Sequence, residues 1–472
     1  MARAAIEDLV SNFKLYLDKR DRKAGHFHND VEKNTPTAER IAQVFYASTD
    51  RDGYLYSEGL VNEKTGNTGI RLGDLIGTGG HNYVFKGHIE NYDALNLYNI
   101  YVNVMKHKIR ERNGAGGIDK LRQEYTQEAQ EMADLLKRRG LYELIRAEVL
   151  PILVSRFEDR TCAVRISIKR QKKPDEDEEE EDLTNLDEAR SIAYDGLVHP
   201  NWVFAAARDK TRKDRSIQLV EYAKDIKDPG RIHLDLSLQE IAEITRQSAS
   251  ALCKMESLGG AHRDVKPDNI FVEKTPRSLR SRLADFDLTR IVQRDYGPSS
   301  TMTMEEDKIM GTPVYMSPEH INNTLNLTVA ADICSLGLTA YYWWTGQQAI
   351  FEDPHAGDEH ADSDLRAKAK FLQLLVEVVE RRNPPVMPTL VRGRASAGQT
   401  KFYEFGKRRA NNKFDYDFER IVAGMIAPTL DRRYTDPNEL VSELDALLNG
   451  GKVSGKVEST QVFGTKRSDI PI

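Results

Sequence analysis

The chain has 472 residues, of which 39% are hydrophobic and 30% charged, and acids outnumber bases 74 to 68 for a formal net charge of −6. That composition supports a folded core and lacks the basic excess of a dedicated nucleic-acid binder. No apolar run reaches the length of a membrane helix.

The first residues turn polar by Glu7 and carry Ala2 in place of a myristoylation glycine, so neither a secretion signal nor that lipid anchor is expected. Residues 1–70 read as an extension. Ile6, Leu9, Val10, Phe13 and Leu17 recur at helical spacing and predict one amphipathic helix. Gly53, Gly59, Gly66 and Gly69 then impose turns. Ser48 to Gly59 has a faint calcium-loop look. Ser48 and Gly59 stand where such a loop needs an acid and a bidentate glutamate, so a polar hairpin or turn is expected instead.

From Arg71 to His88 the pattern becomes two strands joined by a glycine-rich turn. Residues 90–158 read as mostly helical, with a loop at Asn113 to Gly117. Thr161 to Gln171 alternates like a strand. The acidic run Asp175 to Asp182 is expected to be a solvated loop. A helix over residues 183–196 follows, then a turn at His199-Pro200-Asn201 and a strand pair ending at Tyr222. Beyond Asp225 the chain is mainly helical, and residues 451–472 read as a polar tail. Cys162, Cys253 and Cys334 are far apart and form no paired motif. Three buried thiols in a reducing compartment are expected.

The turn reads Gly77-Thr78-Gly79-Gly80-His81-Asn82-Tyr83-Val84. Glycines let backbone N–H groups approach phosphates closely. No Lys-Ser or Lys-Thr follows, which argues against a P-loop, and strands on both sides argue against a dinucleotide fingerprint. Further on come His262-Arg263-Asp264-Val265-Lys266-Pro267-Asp268-Asn269, then Asp285-Phe286-Asp287, Gly311 to Glu319, and Asp332 to Gly337. In this order and spacing, over about residues 71–448, the blocks resemble the protein kinase superfamily and its serine/threonine branch.

The resemblance implies an α+β, two-lobed fold, with a small antiparallel-sheet lobe at 71–222 and a larger, mainly helical lobe at 223–450. Residues 90–158 then become an insertion in the small lobe. It implies transfer of the γ-phosphate of ATP to a protein Ser/Thr hydroxyl. Asp264 is the implied base and Lys266 the implied steadying cation. Asn269 and Asp285 are the implied Mg²⁺ ligands, with Mn²⁺ as an alternative metal, and Thr312 is the implied bridge between Asp264 and Lys266.

Ile166-Ser167-Ile168-Lys169 offers Lys169 as the ATP-anchoring lysine, paired with Glu188. The rival is Lys106, with Glu124 or Glu128. Gly77, Thr78, Gly79, Gly80, Asn82 and Val84 are the implied phosphate and ring contacts. Val220 takes the gatekeeper position. Glu221 and Ala223 offer backbone groups to adenine, and Phe271 is the opposing wall.

Glu319 is expected to pair with Arg433, or with Arg432. Asp332 is expected to bind the catalytic-loop backbone. Two departures stand out: Asn82 replaces the third glycine, and Asp287 replaces the glycine after Asp285-Phe286. Arg263 and the segment with Ser299, Ser300, Thr301 and Thr303 raise autophosphorylation as an expectation. A nucleotide-binding scaffold without activity and a small-molecule phosphotransferase are the alternatives. The expected partners are a protein substrate and neither nucleic acid nor a membrane span, in the cytoplasm. The partner of the 90–158 insertion stays open.

Overall fold

The computed structural model describes residues 38–56, 69–78, 82–90, 147, 151–152, 154–168, 199–203, 205–209, 215–224, 226–286, 288–291, 312–322, 327–350, 378 and 412–456. The expected helix at 6–17, the acidic run and Asp287 lie outside them. So do Lys106, Lys169, Glu188, Ser299 to Thr303, and most of the 90–158 segment. The chain divides into two compact units. One holds the segments up to residue 222 apart from 181–192 and 199–203; the other holds those two stretches and everything from residue 223 onward.

The small unit is built on a five-stranded antiparallel sheet in the order β1-β2-β3-β5-β4. Its strands are β1 (Ile70–Thr78), β2 (Asn82–Ile89), β3 (Thr161–Ile168), β4 (Ala205–Asp209) and β5 (Arg215–Glu221). β2 and β3 are direct neighbours, with His88 opposite Thr161, although residues 90–160 separate them in the chain. Alternation decides the two faces. Tyr83, Phe85, Ile89, Cys162, Val164, Ile166, Ile217 and Leu219 lie on one face and are no more than 5% exposed. Val84, Arg165, Gln218 and Val220 lie on the other face and keep partial exposure.

Helix α1 (Ala38–Ser48) belongs to this unit, so the part of the extension from residue 38 is not a loose appendage. It was not foreseen in the sequence. Ile41 and Val44 are buried, and Phe45 meets Phe85 edge-on at 5.8 Å between ring centroids. The following turn is stitched to β1: Leu55 N–H donates to the Ile70 carbonyl at 2.8 Å and Leu72 N–H to that of Gly53 at 3.0 Å. The expected polar hairpin is present as a Thr49–Leu55 bridge. Asp50 Oδ1 accepts the N–H groups of Asp52 and Tyr54.

The second unit packs helices α2 (Ile232–Asp235), α3 (Leu238–Ser257), α4 (Pro318–Asn322), α5 (Val329–Thr345), α6 (Lys413–Ile426) and α7 (Pro437–Leu448). It also holds the short strands β6 (Gly260–Ala261), β7 (Ile270–Thr275), β8 (Ser278–Leu283) and β9 (Arg290–Ile291). Helix α3 starts at a capping box, in which Ser237 Oγ accepts the Glu240 N–H and the Glu240 carboxylate accepts that of Ser237. Ile241, Ile244, Thr245, Ser248, Leu252 and Met255 recur at helical spacing and are buried.

Helix α5 is covered all round, with 15 of its 17 residues buried. Gly337 permits this, since a Cβ there would lie 2.6 Å from that of Met425 on α6. The His199-Pro200-Asn201 turn docks in this unit. Trp202 Nε1 donates to the Ala251 carbonyl at 3.1 Å, and Leu283 N–H donates to that of Asn201 at 2.7 Å.

Residues 451–456, expected as the start of a loose tail, are instead held on the helices. Ser454 N–H donates to the Glu443 carboxylate, and Lys456 pairs with Glu439 at 3.0 Å. Of the three thiols, Cys162 and Cys334 are buried as expected and Cys253 is only partly so. All three are free. Burial pushes the Cys162 thiol up to about 12 and that of Cys253 to about 11, which disfavours the thiolate at both.

Candidate active site

The chemistry-bearing residues of the second unit sit on one irregular path. It leaves β6, passes through residues 262–266 and a single 3-10 turn at Pro267–Asn269, and enters β7. Asp332, on the first turn of α5, holds the start of this path. Its Oδ2 accepts the His262 N–H at 2.6 Å and its Oδ1 the Arg263 N–H at 2.8 Å. This is the expected contact. The two bonds keep Arg263 at a left-handed φ of 70°, a costly conformation for a non-glycine residue. Asp332 is completely buried, and that desolvation raises its carboxyl to about 7.

His262 is also fully buried. Its Nδ1 faces the Asp264 N–H at 3.4 Å and its Nε2 the Ala284 carbonyl at 3.1 Å, which fits the neutral tautomer with the proton on Nε2. Burial holds its pKa down, so the ring stays neutral. Phe286 packs edge-on against it at 5.0 Å and lies tilted against Trp202 at 5.2 Å.

Asp264 Oδ2 accepts two bonds, from Lys266 Nζ at 2.7 Å and from Asn269 Nδ2 at 2.9 Å. Asn269 Nδ2 also reaches the Asp264 carbonyl at 2.8 Å. Lys266 Nζ donates a second bond to Thr312 Oγ1 at 3.0 Å. Asp264, Lys266, Asn269 and Thr312 therefore form one connected cluster. Thr312 meets Lys266 directly and joins Asp264 through it.

The β7–β8 hairpin brings Asp285 to this cluster. Ile270 pairs with Leu283, and the Ala284 N–H donates to the Asn269 carbonyl at 2.8 Å. Sixteen residues of separation thus fold into adjacency. Asp285 has φ 63°, a second left-handed non-glycine residue beside the cluster. The donor set suits a hard cation. Asn269 spends its amide N–H groups on Asp264, which leaves its oxygen, and Asp285 adds a carboxylate.

Phe271 is partly exposed, while its neighbours Ile270 and Val272 are in the core, so it faces away from that core. Glu319 and Arg433 form the expected ion pair. Arg432, the alternative, lies 4.0 Å from Asp431.

In the small unit, Gly77 stands opposite Val84 and Thr78 opposite Tyr83, so the strands close on a turn whose tip, residues 79–81, lies outside the described residues. The Glu221 side chain shares the covered face with Leu219. Its carboxylate is bound by Arg156 at 3.1 Å, a buried pair missed in the sequence because Arg156 falls at the end of the insertion. Glu221 is thus left with only backbone groups for the open face. Ala223 is buried just beyond β5.

The antiparallel sheet unit and the helical unit with this Asp-Lys-Asn-Thr cluster define a chain of the two-lobed kinase fold. A family model described as the protein kinase domain matches residues 153–443, and the chain belongs to that family. The match starts just ahead of β3; β1 and β2 join the domain through the strand pairing across the inserted segment.

The chain is similar to the serine/threonine-protein kinase ppk11 of Schizosaccharomyces pombe, with 30% identity over 36% of this chain and 52% of that protein. It is 31% identical to the serine/threonine-protein kinase pkn2 of Myxococcus xanthus over 22% of this chain and 12% of that one. It is 29% identical to the serine/threonine-protein kinase PkaA of Streptomyces coelicolor over 41% and 35% of the two chains. The matched segments span about half or less of the length of these relatives.

Proposed function

We propose that this chain transfers the γ-phosphate of ATP to a serine or threonine hydroxyl of a protein. The observation that carries the reading is the double occupation of Asp264 Oδ2 by Lys266 and Asn269. It orients the carboxylate and leaves Oδ1 for an incoming hydroxyl. In the reaction Asp264 Oδ1 takes the hydroxyl proton, the oxygen–phosphorus bond forms, and the bond to the departing ADP oxygen breaks. Lys266, fixed at a second point by Thr312, places a positive charge beside the group in transit.

Asn269 and Asp285 are the proposed Mg²⁺ ligands, and the bound ion would neutralise phosphate charge. The glycine turn, with Gly77, Thr78, Gly79, Gly80 and Asn82, is proposed to supply backbone N–H groups to the phosphates. Val84, the backbone groups of Glu221 and Ala223, and Phe271 are assigned to adenine. A protein acceptor, autophosphorylation in the segment with Ser299, Ser300, Thr301 and Thr303, and a cytoplasmic setting complete the proposal. Three cysteines without a disulfide support the last. Among the described residues no helix is long and apolar enough to cross a membrane.

The test incubates the full chain with labelled ATP, Mg²⁺ and a generic protein acceptor. The wild type should label serine and threonine. Asp264→Asn should lower turnover by about 10²–10⁴-fold, the worth of a positioned base. Nucleotide-dependent thermal stabilisation without any transfer by the wild type would overturn the reading and select a scaffold.

A further inference from the structure

We propose that Arg156 is a positioning residue for base recognition: through the Glu221 carboxylate it fixes the Glu221 backbone, and with it the preference for adenine over other purines. This inference rests on the kinase reading above and adds to it a residue from outside the motif blocks. Glu221 is the last residue of β5 and pairs with Cys162 of β3. Among the described residues the pairing with β4 ends at Val220, so at Glu221 the strand is paired on the β3 side alone. A backbone at such an end keeps freedom to tilt. Backbone groups select a base only when they point in a fixed direction, so the end of β5 needs a second hold.

The Glu221 side chain supplies the handle. It lies on the covered face with Cys162 and Leu219 and is 6% exposed. An apolar side chain would fill this face without the cost of a buried charge. A carboxylate with a cation adds direction instead. Arg156 Nη1 donates to Oε2 at 3.1 Å and reaches Oε1 at 3.5 Å, so one nitrogen holds both oxygens.

Arg156 is itself firmly placed. It ends the helical stretch 154–156, its side chain is 9% exposed, and Phe157 beside it is buried. The chain then turns into β3 through Asp159 and Arg160, whose φ values of 53° and 56° make two consecutive left-handed non-glycine residues. Such a pair is costly and persists only where its surroundings hold it. Arg160 Nη1 donates to the Glu90 carbonyl at 2.8 Å, next to the end of β2. The exit of the inserted segment is thus fastened to its entrance, and it delivers one guanidinium to the end of β5. Tyr222, the next residue, has its ring centroid 5.5 Å from Lys86 Nζ of β2.

The experiment measures equilibrium affinity of the full chain for Mg-ADP and Mg-IDP. Adenine carries a 6-amino donor and a bare N1, whereas hypoxanthine carries a 6-oxo acceptor and an N1–H. The wild type should prefer ADP, because fixed backbone groups match one pattern and not the other. Arg156→Met should lower the ADP-to-IDP preference by about 3–10-fold, the worth of one hydrogen bond out of line. Arg156→Lys should recover most of it, since a single nitrogen makes both contacts. Adding Glu221→Gln to Arg156→Met should lower the preference by less than about twofold more, because the arginine acts through that carboxylate. A merely structural role would weaken both nucleotides alike and leave their ratio unchanged.

A second measurement needs no variant and decides the matter if Arg156→Met fails to fold. Coupling is reciprocal, so saturating ADP should slow hydrogen exchange at residues 155–161 of the wild type, and Mg-tripolyphosphate, which has no base, should not. An unchanged ADP-to-IDP ratio in Arg156→Met overturns this assignment alone. So does a wild type that binds the two nucleotides equally, or exchange at 155–161 that ADP leaves unmoved. A wild type without affinity for ADP overturns the kinase reading as well.

Discussion

Arg433 Nη1 and Glu319 Oε1 lie 2.5 Å apart, although 114 residues separate them in the chain. The pair is unequal. The Arg433 side chain is fully buried, whereas that of Glu319 is 24% exposed. Arg433 also donates Nε to the Ala427 carbonyl at 2.7 Å and Nη2 to that of Pro428 at 3.1 Å. Its Nη1 also reaches the Ala330 carbonyl at 3.4 Å, so removing the arginine strands a carboxylate and three carbonyls. Removing the carboxylate charge leaves the guanidinium its carbonyl partners. Arg433→Met should therefore cost about 3–5 kcal/mol and Glu319→Gln about 1–2 kcal/mol. Urea midpoints of the two variants check this, and equal losses would contradict it.

Thr312 tests the steadying of Lys266. Its hydroxyl is one of two acceptors on Lys266 Nζ, and Asp264 Oδ2 is the other. Thr312→Val removes one bond and keeps the shape. Lys266 stays tethered to Asp264, so the loss in turnover should be about 3–10-fold, the worth of one hydrogen bond. Thr312→Ser should restore activity, and KM for ATP should stay within about twofold. Steady-state kinetics on a protein acceptor give both numbers. A change confined to KM would place Thr312 in nucleotide binding instead.

Much of the large unit was legible because its chemistry is local. Asp264, Lys266 and Asn269 lie within six consecutive positions, and a short hairpin brings Asp285 beside them. Asp332 and Arg433 were legible because their blocks are distinctive. The small unit was less so, for three physical reasons. Its third strand follows an insertion, so spacing left Lys106 standing as a rival to Lys169. Lys169 and Lys106, the two residues in question, both lie outside the described residues. Helix α1 is short, and its partners, Phe85 among them, are distant in sequence. Arg156 meets Glu221 only through the fold.

His320 should make the large unit sensitive to acid. Its ring is 2% exposed, and Nδ1 accepts the Ser317 N–H at 3.2 Å, which requires an unprotonated Nδ1. Burial lowers its pKa from 6.5 to about 4. The folded state then binds fewer protons than the unfolded state between those values. The stabilising contribution is complete above pH 6.5 and is lost as pH falls toward 4. From pH 7 to pH 5 the loss should be about 2 kcal/mol, on the scale of 1.36 kcal/mol per pKa unit. His262, also lowered, acts in the same direction. His320→Gln should flatten its own share of the slope. A variant whose urea midpoint falls as steeply as that of the wild type would remove His320 from this account.

Helix α1 should stabilise the five-stranded sheet. The covered face of β2 and β3 is apolar and almost inaccessible, with Phe85, Val164 and Ile166 at 0% exposure. Such a face needs a cover, and Phe45 meets Phe85 there. Ile41, at 0% exposure, should lose about 2–5 kcal/mol on Ile41→Ala. Tyr46, 38% exposed on the same helix, should lose no more than about 0.5 kcal/mol on Tyr46→Ala. Hydrogen exchange separates a cover from an appendage. If α1 is a cover, Ile41→Ala speeds exchange at Phe85 and Val164 while the β7–β8 hairpin stays protected. Faster exchange confined to α1 would show that the sheet stands without it.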